Sequence, residues 1–373
     1  MTAVLPAGTN RTRLWGLTAR ERLARIARAQ GIDFDKGAGG GPLVANLDYV
    51  FDPAWMKFIA AQPEHVVTVG RVPVLAHVTD LDTRLAVTLA MGEGRPLGDT
   101  PGLTLVRYEE AGSIGNNALR KRERPFMGRL EPETVRELER ASYFGAYKGV
   151  TDILTKYLWP EWALVLTRLS ARLGITPNQV TAIGALLCVA ATFLFYYGWY
   201  WTGLAAGLVF MVLDTVDGKL ARCTLTSSAI GNVFDHGIDL VHPPFWWWAW
   251  GAGLAAYGRP LEPETFWWTL ATIVGGYVVQ RLIEGAFIAR FAIHIHVWRP
   301  FDSWFRLITA RRNPNMVILA AFLAAGRPDW GLIGVAAWTV ASLLVHLVQL
   351  LQALAVRAKG GAVQSWLAQG DAS

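Results

Sequence analysis

Apolar residues follow two different patterns on either side of residue 172. In the first part, short apolar runs at His65–Val69, Val72–His77 and Leu103–Tyr108 have the length and composition of β-strands. The segment from Thr18 to Gln30 begins with a typical N-cap and is followed by glycine, as expected of a helix. Beyond residue 172 the apolar stretches become long enough to cross a bilayer. The pattern therefore predicts a small α/β domain followed by a membrane region.

Six apolar segments of the second part are predicted membrane spans. Between Arg172 and Asp214 lie 41 residues without Asp, Glu, Lys or Arg, which is enough for two spans of about 20 residues each. The predicted spans cover approximately 177–200, 202–222, 228–257, 265–290, 314–325 and 330–356, and the fifth is short. The segment that ends at Arg172 is basic and amphipathic, which favours a position along the membrane surface, with an interruption at Pro160.

Positive charge distinguishes the two sides of this membrane region. The loops at 222–228 and 290–313 and the C-terminal end carry most of its Arg and Lys residues, whereas the alternate loops carry few. The positive-inside rule then makes both termini and the first group of loops cytoplasmic. The first 30 residues are Arg-rich and lack a continuous apolar core, so we expect no signal peptide and a location in a bacterial inner membrane.

These patterns predict four regions. They are a small α/β cytoplasmic domain at 1–116, a charged linker with amphipathic interfacial helices at 117–173, an all-α six-helix membrane bundle at 174–357 and a cytoplasmic tail at 358–373. Of 373 residues, 53% are hydrophobic and 17% charged, which is too apolar for an ordinary soluble protein. The net charge of +6 lies beside apolar spans, which favours contact with membrane lipids or phosphorylated substrates and not with nucleic acid. Cys188 and Cys223 predict neither a disulfide nor a zinc site.

Four aspartates stand at the edges of the second and third predicted spans, where carboxylates are costly. If both segments are helical, Asp214 and Asp217 project from one helical face, and Asp235 and Asp239 project from another. Oxygen ligands without Cys or His at ligand spacing favour Mg²⁺ or Mn²⁺, which typically contact substrate phosphates as well. Two such ions can clamp the attacking and leaving oxygens of a phosphoryl displacement. The residues therefore indicate a phosphoanhydride substrate.

Small residues and one arginine separate the aspartates. Arg222, one turn beyond Gly218, can neutralise phosphate charge, and Gly218 and Ala221 allow a pyrophosphate to lie against the helix. Gly231 leaves a gap that a ligand or a neighbouring helix can enter. Two other readings of the aspartates remain open, namely helix caps with ion-pair partners and a pathway for cation or proton transport. A coupled transporter predicts an internal repeat, and the two halves of the membrane region do not repeat.

The spacing of these residues resembles the motif of the CDP-alcohol phosphatidyltransferase family, integral membrane enzymes that make phospholipids. All eight motif positions match in type and spacing, in the order Asp214-x2-Asp217-Gly218-x2-Ala221-Arg222-x8-Gly231-x3-Asp235-x3-Asp239. The resemblance implies that the four aspartates hold Mg²⁺ or Mn²⁺, with two ions expected. It also implies CDP contacts, which would come from Asp217, Gly218, Ala221, Arg222 and Gly231.

The same resemblance implies a reaction and its partners. Asp239 would act as the general base on an acceptor hydroxyl, which attacks the β-phosphate of a CDP-linked donor and releases CMP. We expect CDP-diacylglycerol as the donor, with inositol, inositol phosphate, glycerol phosphate and serine open as acceptors. A soluble CDP-polyol donor with a lipid or polyol-phosphate acceptor is the alternative. We also expect a homodimer.

Basic residues outside the motif are candidates for an acceptor-phosphate pocket on the cytoplasmic side. A solvated positive-inside face is the alternative, and it explains most of these residues. The candidates are Lys148, Lys156, Arg290, Arg306 and Arg311. Arg281 and Glu284, three residues apart in the fourth predicted span, are expected to pair with each other.

The N-terminal region resembles the start of sugar-phosphate nucleotidyltransferases, with a glycine loop after the first strand. The matching residues are Ala7, Gly8, Thr12, Arg13, Leu14, Leu17 and Thr18. Asp48 occupies the position of that family's metal-binding aspartate, but only a linker with Gly37, Gly39, Gly40 and Gly41 stands where the family has several strands. The resemblance therefore implies a shortened domain without the activity, as a variant of bifunctional enzymes that form CDP-inositol. A plain turn at Gly8 and a surface carboxylate at Asp48 are the alternative.

Overall fold

The computed structural model describes residues 2–35, 41–98, 100–116 and 119–368, without the side chains at 114–116, 229–230, 232 and 235–236. The predicted glycine linker at Gly37–Gly40 and the last five residues of the predicted tail lie outside the described residues. The strands are β1 Ala3–Ala7, β2 Arg13–Leu14, β3 Leu17–Thr18, β4 Asp33–Phe34, β5 Leu43–Asn46, β6 Tyr49–Phe51, β7 His65–Val69, β8 Val72–His77, β9 Thr104–Arg107, β10 Ile114–Asn116, β11 Lys121–Glu123 and β12 Met127–Arg129. The helices are α1 Ala19–Ala29, α2 Pro53–Ala60, α3 Leu81–Gly92, α4 Val135–Gly145, α5 Pro160–Arg172, α6 Pro177–Tyr196, α7 Tyr200–Cys223, α8 Ala229–Gly253, α9 Pro263–Phe291, α10 Pro300–Phe305, α11 Arg312–Ala324 and α12 Pro328–Ala358.

The N-terminal region is an α/β domain built on a mixed six-stranded sheet. Its strand order is β4-β1-β5-β8-β7-β9, with β1 parallel to both of its neighbours and β8 antiparallel to both of its own. Alternate residues of the strands face opposite layers, so Val44 and Val66 pack with Val87 of α3, while Val4 packs with Leu23 of α1 on the other face. The predicted strands and the predicted helix at Thr18 are confirmed, and the resemblance to nucleotidyltransferases stays a prediction.

The segment between this domain and the long helices differs from a simple linker. Strand β12 pairs antiparallel with β6, so part of the predicted linker packs on the N-terminal domain. The sequence predicts that Pro160 interrupts a helix, and this prediction is wrong. Pro160 instead lies in the first turn of α5. A proline is tolerated there because the N–H that it lacks has no intrahelical partner at that position. A single π-helical turn at Leu154–Leu158 precedes it.

A helix lies at each of the six predicted spans. By the described residues, three of them, α6, α9 and α12, are long and apolar enough to cross a membrane. Helix α11 has 13 residues and is short, as the sequence indicates. The full six-span arrangement therefore stays a prediction, while the membrane character of the region has direct support from the three long helices.

Candidate active site

Two neighbouring helices carry the predicted acidic residues. Asp214 and Asp217 lie on α7, and Asp239 lies on α8. The side chain of Asp235 lies outside the described part of the structure, as does that of His236. Helix α6 packs against both α7 and α8 and brings them together. The helical arrangement predicted for both pairs of aspartates is therefore present in the backbone.

Arg312 joins the aspartates of the two helices. One of its guanidinium nitrogens, Nη2, donates to Asp214 Oδ2 at 2.8 Å, and Nη1 donates to Asp239 Oδ1 at 2.6 Å. The guanidinium carbon lies 4.9 Å from the ring centroid of Phe210. Only 11% of the Arg312 side chain is exposed, against 45% for Asp239 and 18% for Asp214. One cationic group therefore contacts carboxylates from both helices at the same time.

Asp217 lies deeper, beside a small cavity. It is 3% exposed and accepts a hydrogen bond of 2.6 Å from the Thr181 hydroxyl of α6. The cavity is lined by Thr181, Gly184, Phe210, Asp214, Asp217 and Ile238. Two of the four predicted metal ligands thus border one enclosed space. The all-oxygen donor set fits a hard divalent cation, because Arg312 already shows that a positive group can lie between Asp214 and Asp239.

Two glycines of the motif have close side-chain neighbours. A Cβ at Gly218 would lie 3.0 Å from Arg222 Nη2, so the guanidinium of Arg222 folds back over the glycine. A Cβ at Gly231 would lie 3.0 Å from Asn178 Oδ1 and 3.0 Å from Ser228 Oγ. The start of α6 thus approaches Gly231 closely, and a role of this glycine in CDP binding stays a prediction.

A cluster of charged residues, most of them arginines, surrounds Arg311, the residue that precedes Arg312. Arg311 Nη2 contacts both oxygens of Glu284, at 2.5 and 2.6 Å, and Arg281 Nη1 contacts Glu284 Oε2 at 3.1 Å. The pairing predicted between Arg281 and Glu284 is confirmed. Arg120 and Arg306 are electrostatic neighbours of the same group. Arg120, Arg281, Arg306, Arg311 and Glu284 are called the basic cluster below.

Arg306 has the largest unused hydrogen-bonding capacity in this cluster. It is 8% exposed, and its Nε and Nη1 atoms have no hydrogen-bond partner among the described residues. Burial, together with the charge of Arg311, lowers the pKa of Arg306 to about 9, so the guanidinium is still charged at neutral pH. A buried cation with unused donors is costly unless an anion satisfies it, which indicates an anion-binding position.

Asp152 connects the basic cluster to the acidic site. Its carboxylate accepts from the Thr155 backbone N–H at 3.0 Å and from Asn313 Nδ2 at 3.0 Å. Burial raises the pKa of Asp152, but the charge of Arg306 and these hydrogen bonds bring it below the ordinary value. Because residues 311, 312 and 313 follow one another, the start of α11 reaches Glu284, the aspartates and Asp152 in turn.

Two histidines adjoin the basic cluster. Glu284, His296 and His346 place one ligand atom each within 4.8 Å of one another, a spacing that could hold a metal ion. Arg311 Nη2 lies 3.1 Å from His296 Nε2, and the same imidazole nitrogen lies 3.4 Å from Glu284 Oε1, so a guanidinium contacts both of these ligand atoms in this structure. Burial lowers the pKa of His296, whose imidazole is therefore neutral.

The structure brings together only part of the predicted acceptor residues. Arg306 and Arg311 belong to the basic cluster, and Lys148 is an exposed electrostatic neighbour of His294 beside it. Lys156 and Arg290 are exposed and lie over the rings of Tyr157 and Phe291, so the described contacts do not join them to the cluster. The contact between Arg312 and the aspartates is not predicted from the sequence. The available signal is the Arg311-Arg312-Asn313 run at the end of the loop that is predicted to be cytoplasmic.

The predicted N-terminal site is engaged within its own domain. Asn10 Nδ2 lies 3.4 Å from Asp48 Oδ1 and donates to the Leu130 carbonyl at 2.9 Å. Gly8 has a φ of +78°, a conformation that glycine adopts readily in a turn. Gly8 thus has a left-handed backbone and Asp48 is half-buried beside Asn10, and the resemblance to nucleotidyltransferases stays a prediction.

Comparison with known proteins identifies the membrane region. Residues 174–358 match the family model described as CDP-alcohol phosphatidyltransferase. The chain is 43% identical over 114 residues to archaetidylinositol phosphate synthase of Pyrococcus horikoshii, covering 30% of this chain and 54% of that protein. It is 39% identical over 134 residues to cholinephosphotransferase 1 of Danio rerio (31% and 32%) and 33% identical over 162 residues to choline/ethanolaminephosphotransferase 1 of Arabidopsis thaliana (39% and 39%). The chain thus spans between about a third and about half of the length of these relatives.

Proposed function

We propose that this chain, whose residues 174–358 form a domain of the CDP-alcohol phosphatidyltransferase family, transfers a phosphatidyl group from CDP-diacylglycerol to a hydroxyl acceptor that carries a phosphate. The reaction releases CMP and belongs to phospholipid biosynthesis. The observation that carries the proposal is the convergence of Asp214 and Asp239 on one cation, beside a basic cluster with unused donors.

The aspartates have two proposed roles, metal binding and general-base catalysis. Asp214, Asp217, Asp235 and Asp239 would hold one or two divalent cations, which neutralise charge on the diphosphate. Asp239 is the most exposed of the three whose side chains are described, and it faces the acceptor as general base. It takes the proton of the acceptor hydroxyl, whose oxygen forms a bond to the β-phosphorus. The bond from that phosphorus to the bridging oxygen breaks, and CMP leaves with the electron pair.

Arg222 and the small residues around it would receive the CDP group. The guanidinium of Arg222 lies over Gly218, on the same helix as Asp214 and Asp217, where it can reach the diphosphate. Ala221 and Gly231 have small side chains or none, which would leave space for the CDP group beside the helices. Membrane lipids would accommodate the acyl chains of the donor. We propose that each chain has six membrane spans with the active site on the cytoplasmic side, and that two chains form a homodimer.

The basic cluster would bind the phosphate of the acceptor. A neutral alcohol leaves the Nε and Nη1 donors of Arg306 unused, whereas a phosphate satisfies them with charge-assisted hydrogen bonds. The name of the Pyrococcus horikoshii relative contains inositol phosphate, which agrees with an acceptor of this class. Inositol phosphate and glycerol phosphate are therefore favoured over inositol and serine.

A second donor class is supported by the other relatives. The Danio rerio and Arabidopsis thaliana proteins are named as choline or choline/ethanolamine phosphotransferases. In this class the same aspartates would serve a different pair of substrates. The donor would be a soluble CDP-alcohol that carries the polar group, and the acceptor would be the hydroxyl of a lipid. Cation transport, the other reading of the aspartates, has no relative among these proteins.

The purified protein in detergent with Mg²⁺ tests the function directly. With CDP-diacylglycerol as donor, we expect rapid CMP release with inositol phosphate or glycerol phosphate and slow release with inositol or serine. CMP release with CDP-choline and diacylglycerol instead would establish the second donor class. Cation flux in liposomes, with no CMP release from any CDP donor, would refute a transferase.

The Arg306→Gln variant tests the acceptor pocket. Because its charge-assisted hydrogen bonds would go to the acceptor, we expect the KM for the phosphorylated acceptor to rise about 10- to 100-fold with the KM for the CDP donor nearly unchanged. Steady-state kinetics of CMP release measures both constants. Arg290→Gln, which changes an exposed arginine, is the matched control and should behave like the wild type. An equal loss with phosphorylated and neutral acceptors would contradict the pocket.

A further inference from the structure

Two arginines of the N-terminal domain hold the end of the helix that carries the acidic motif. We propose that Arg22 and Arg25 are positioning residues of the transferase site, and that the N-terminal domain thereby sets the position of Arg222 against the CDP donor. The proposal rests on the proposed function for its kinetic consequence. The contacts themselves join α1 to the last residues of α7.

The C-terminal end of α7 leaves carbonyl groups that α7 itself cannot satisfy. Arg22 Nη1 donates to the Cys223 carbonyl at 2.9 Å, and Arg25 Nη1 donates to the Thr224 carbonyl at 2.6 Å. Cations are favourable at this end of a helix because the macrodipole is negative there. Both contacts bridge about 200 positions of the chain, so they bind two separate regions together.

Arg22 is placed too deeply for a surface arginine. It is 3% exposed, although it belongs to a short helix of a small domain. Burial lowers the pKa of Arg22 to about 10, so its side chain remains charged at neutral pH. A buried charge requires compensation, to which the Cys223 carbonyl, the end of α7 and the charge of Asp52 contribute.

Helix α1 is itself rigidly fixed. A capping box between Thr18 and Glu21 closes its N-terminus, and Leu23 and Ile26 are buried in the core of the N-terminal domain. The preceding loop is also attached, because Trp15 Nε1 donates to Ser142 Oγ of α4 at 2.7 Å. The two arginines therefore extend from a fixed support.

A third contact also holds this stretch of α7. Lys219 is 3% exposed, and its Nζ donates to the Ala146 carbonyl at 2.9 Å. The same atom lies 3.2 Å from the centroid of the Tyr147 ring. Arg222 lies between the contacts at Lys219 and Cys223, and its guanidinium folds over Gly218. A change at either contact would thus move Arg222 relative to the motif.

The Arg22→Gln variant of the full chain tests this role. Losing the charge-assisted hydrogen bond should raise the KM for CDP-diacylglycerol about 10-fold and leave the KM for the acceptor within about twofold of wild type. Arg22→Lys keeps a cation and a donor and should restore most of the donor affinity. Arg28→Gln changes an exposed arginine on the same helix and is the matched control.

Hydrogen exchange gives a readout that does not depend on turnover. The backbone amides at 218–224 should exchange faster in Arg22→Gln than in the wild type, and Arg28→Gln should not differ from the wild type. If Arg22→Gln does not fold, Arg25→Gln takes its place in both measurements. Wild-type exchange together with a wild-type donor KM would overturn the proposal.

The remaining outcomes are distinct from one another. Equal increases in the KM for donor and acceptor, with a lower Tm, would mean that the arginines only brace the fold, which also overturns the proposal. A wild-type protein that releases no CMP from any CDP donor would refute the proposed function. Faster exchange in Arg22→Gln would still support the proposal that Arg22 and Arg25 fix the end of α7.

Discussion

The Asp239→Asn variant should release CMP at least about 100-fold more slowly than the wild type, while its affinity for the CDP donor stays nearly the same. General-base assistance typically contributes about 100- to 10,000-fold, and an amide cannot accept the proton of the acceptor hydroxyl. Asp239 is 45% exposed at its side chain, so an acceptor can reach it, whereas Asp214 is 18% exposed. Donor binding should survive because Asp214, Asp217 and Arg222 remain.

Turnover and binding must be measured separately. CMP release under saturating Mg²⁺ and acceptor gives the rate, and equilibrium binding of CDP-diacylglycerol in detergent gives the affinity. Asp329→Asn is a matched control, because Asp329 pairs with Arg327 at the start of α12, away from the motif. CMP release by Asp239→Asn near the wild-type rate would remove Asp239 from the role of base.

Much of the local structure could be predicted from the sequence because short-range physics specifies it. The capping box at Thr18 and Glu21 and the alternating strands β7 and β8 depend on residues that are close in the chain. The pairing of Arg281 with Glu284 follows from a separation of three residues on one helix. The positions of Asp214 and Asp217 on one helix follow from their spacing in the same way.

The contacts that build the site join residues far apart in the chain, so short-range sequence patterns do not specify the partners. Arg312 reaches Asp214 and Asp239 across 98 and 73 positions. Arg22 reaches Cys223 across 201. Which of several basic residues becomes buried depends on how the helices pack, so Arg306, at the end of α10, is buried while Arg290 of α9 remains exposed. Charge alone does not distinguish them.

The Arg312→Gln variant should be less stable than the wild type without divalent cations and should regain that loss when Mg²⁺ is added. Arg312 donates to two carboxylates that are proposed to hold the metal. Removing it leaves Asp214 and Asp239 without this cation, at a cost of roughly 2 kcal/mol in the free energy of unfolding. Mg²⁺ no longer has to displace a guanidinium, so it should bind this variant more tightly and raise its Tm further than that of the wild type.

The neighbouring arginine provides the control for this effect. Arg311 makes an ion pair of the same kind with Glu284, outside the acidic motif, so Arg311→Gln should lose stability without a larger response to Mg²⁺. Thermal unfolding in detergent, followed by tryptophan fluorescence with EDTA and with Mg²⁺, compares the three proteins. If Mg²⁺ raises the Tm of Arg312→Gln and Arg311→Gln equally, then Arg312 does not compete with the metal. A larger shift confined to Arg312→Gln would mean that Asp214 and Asp239 bind one cation in exchange for another.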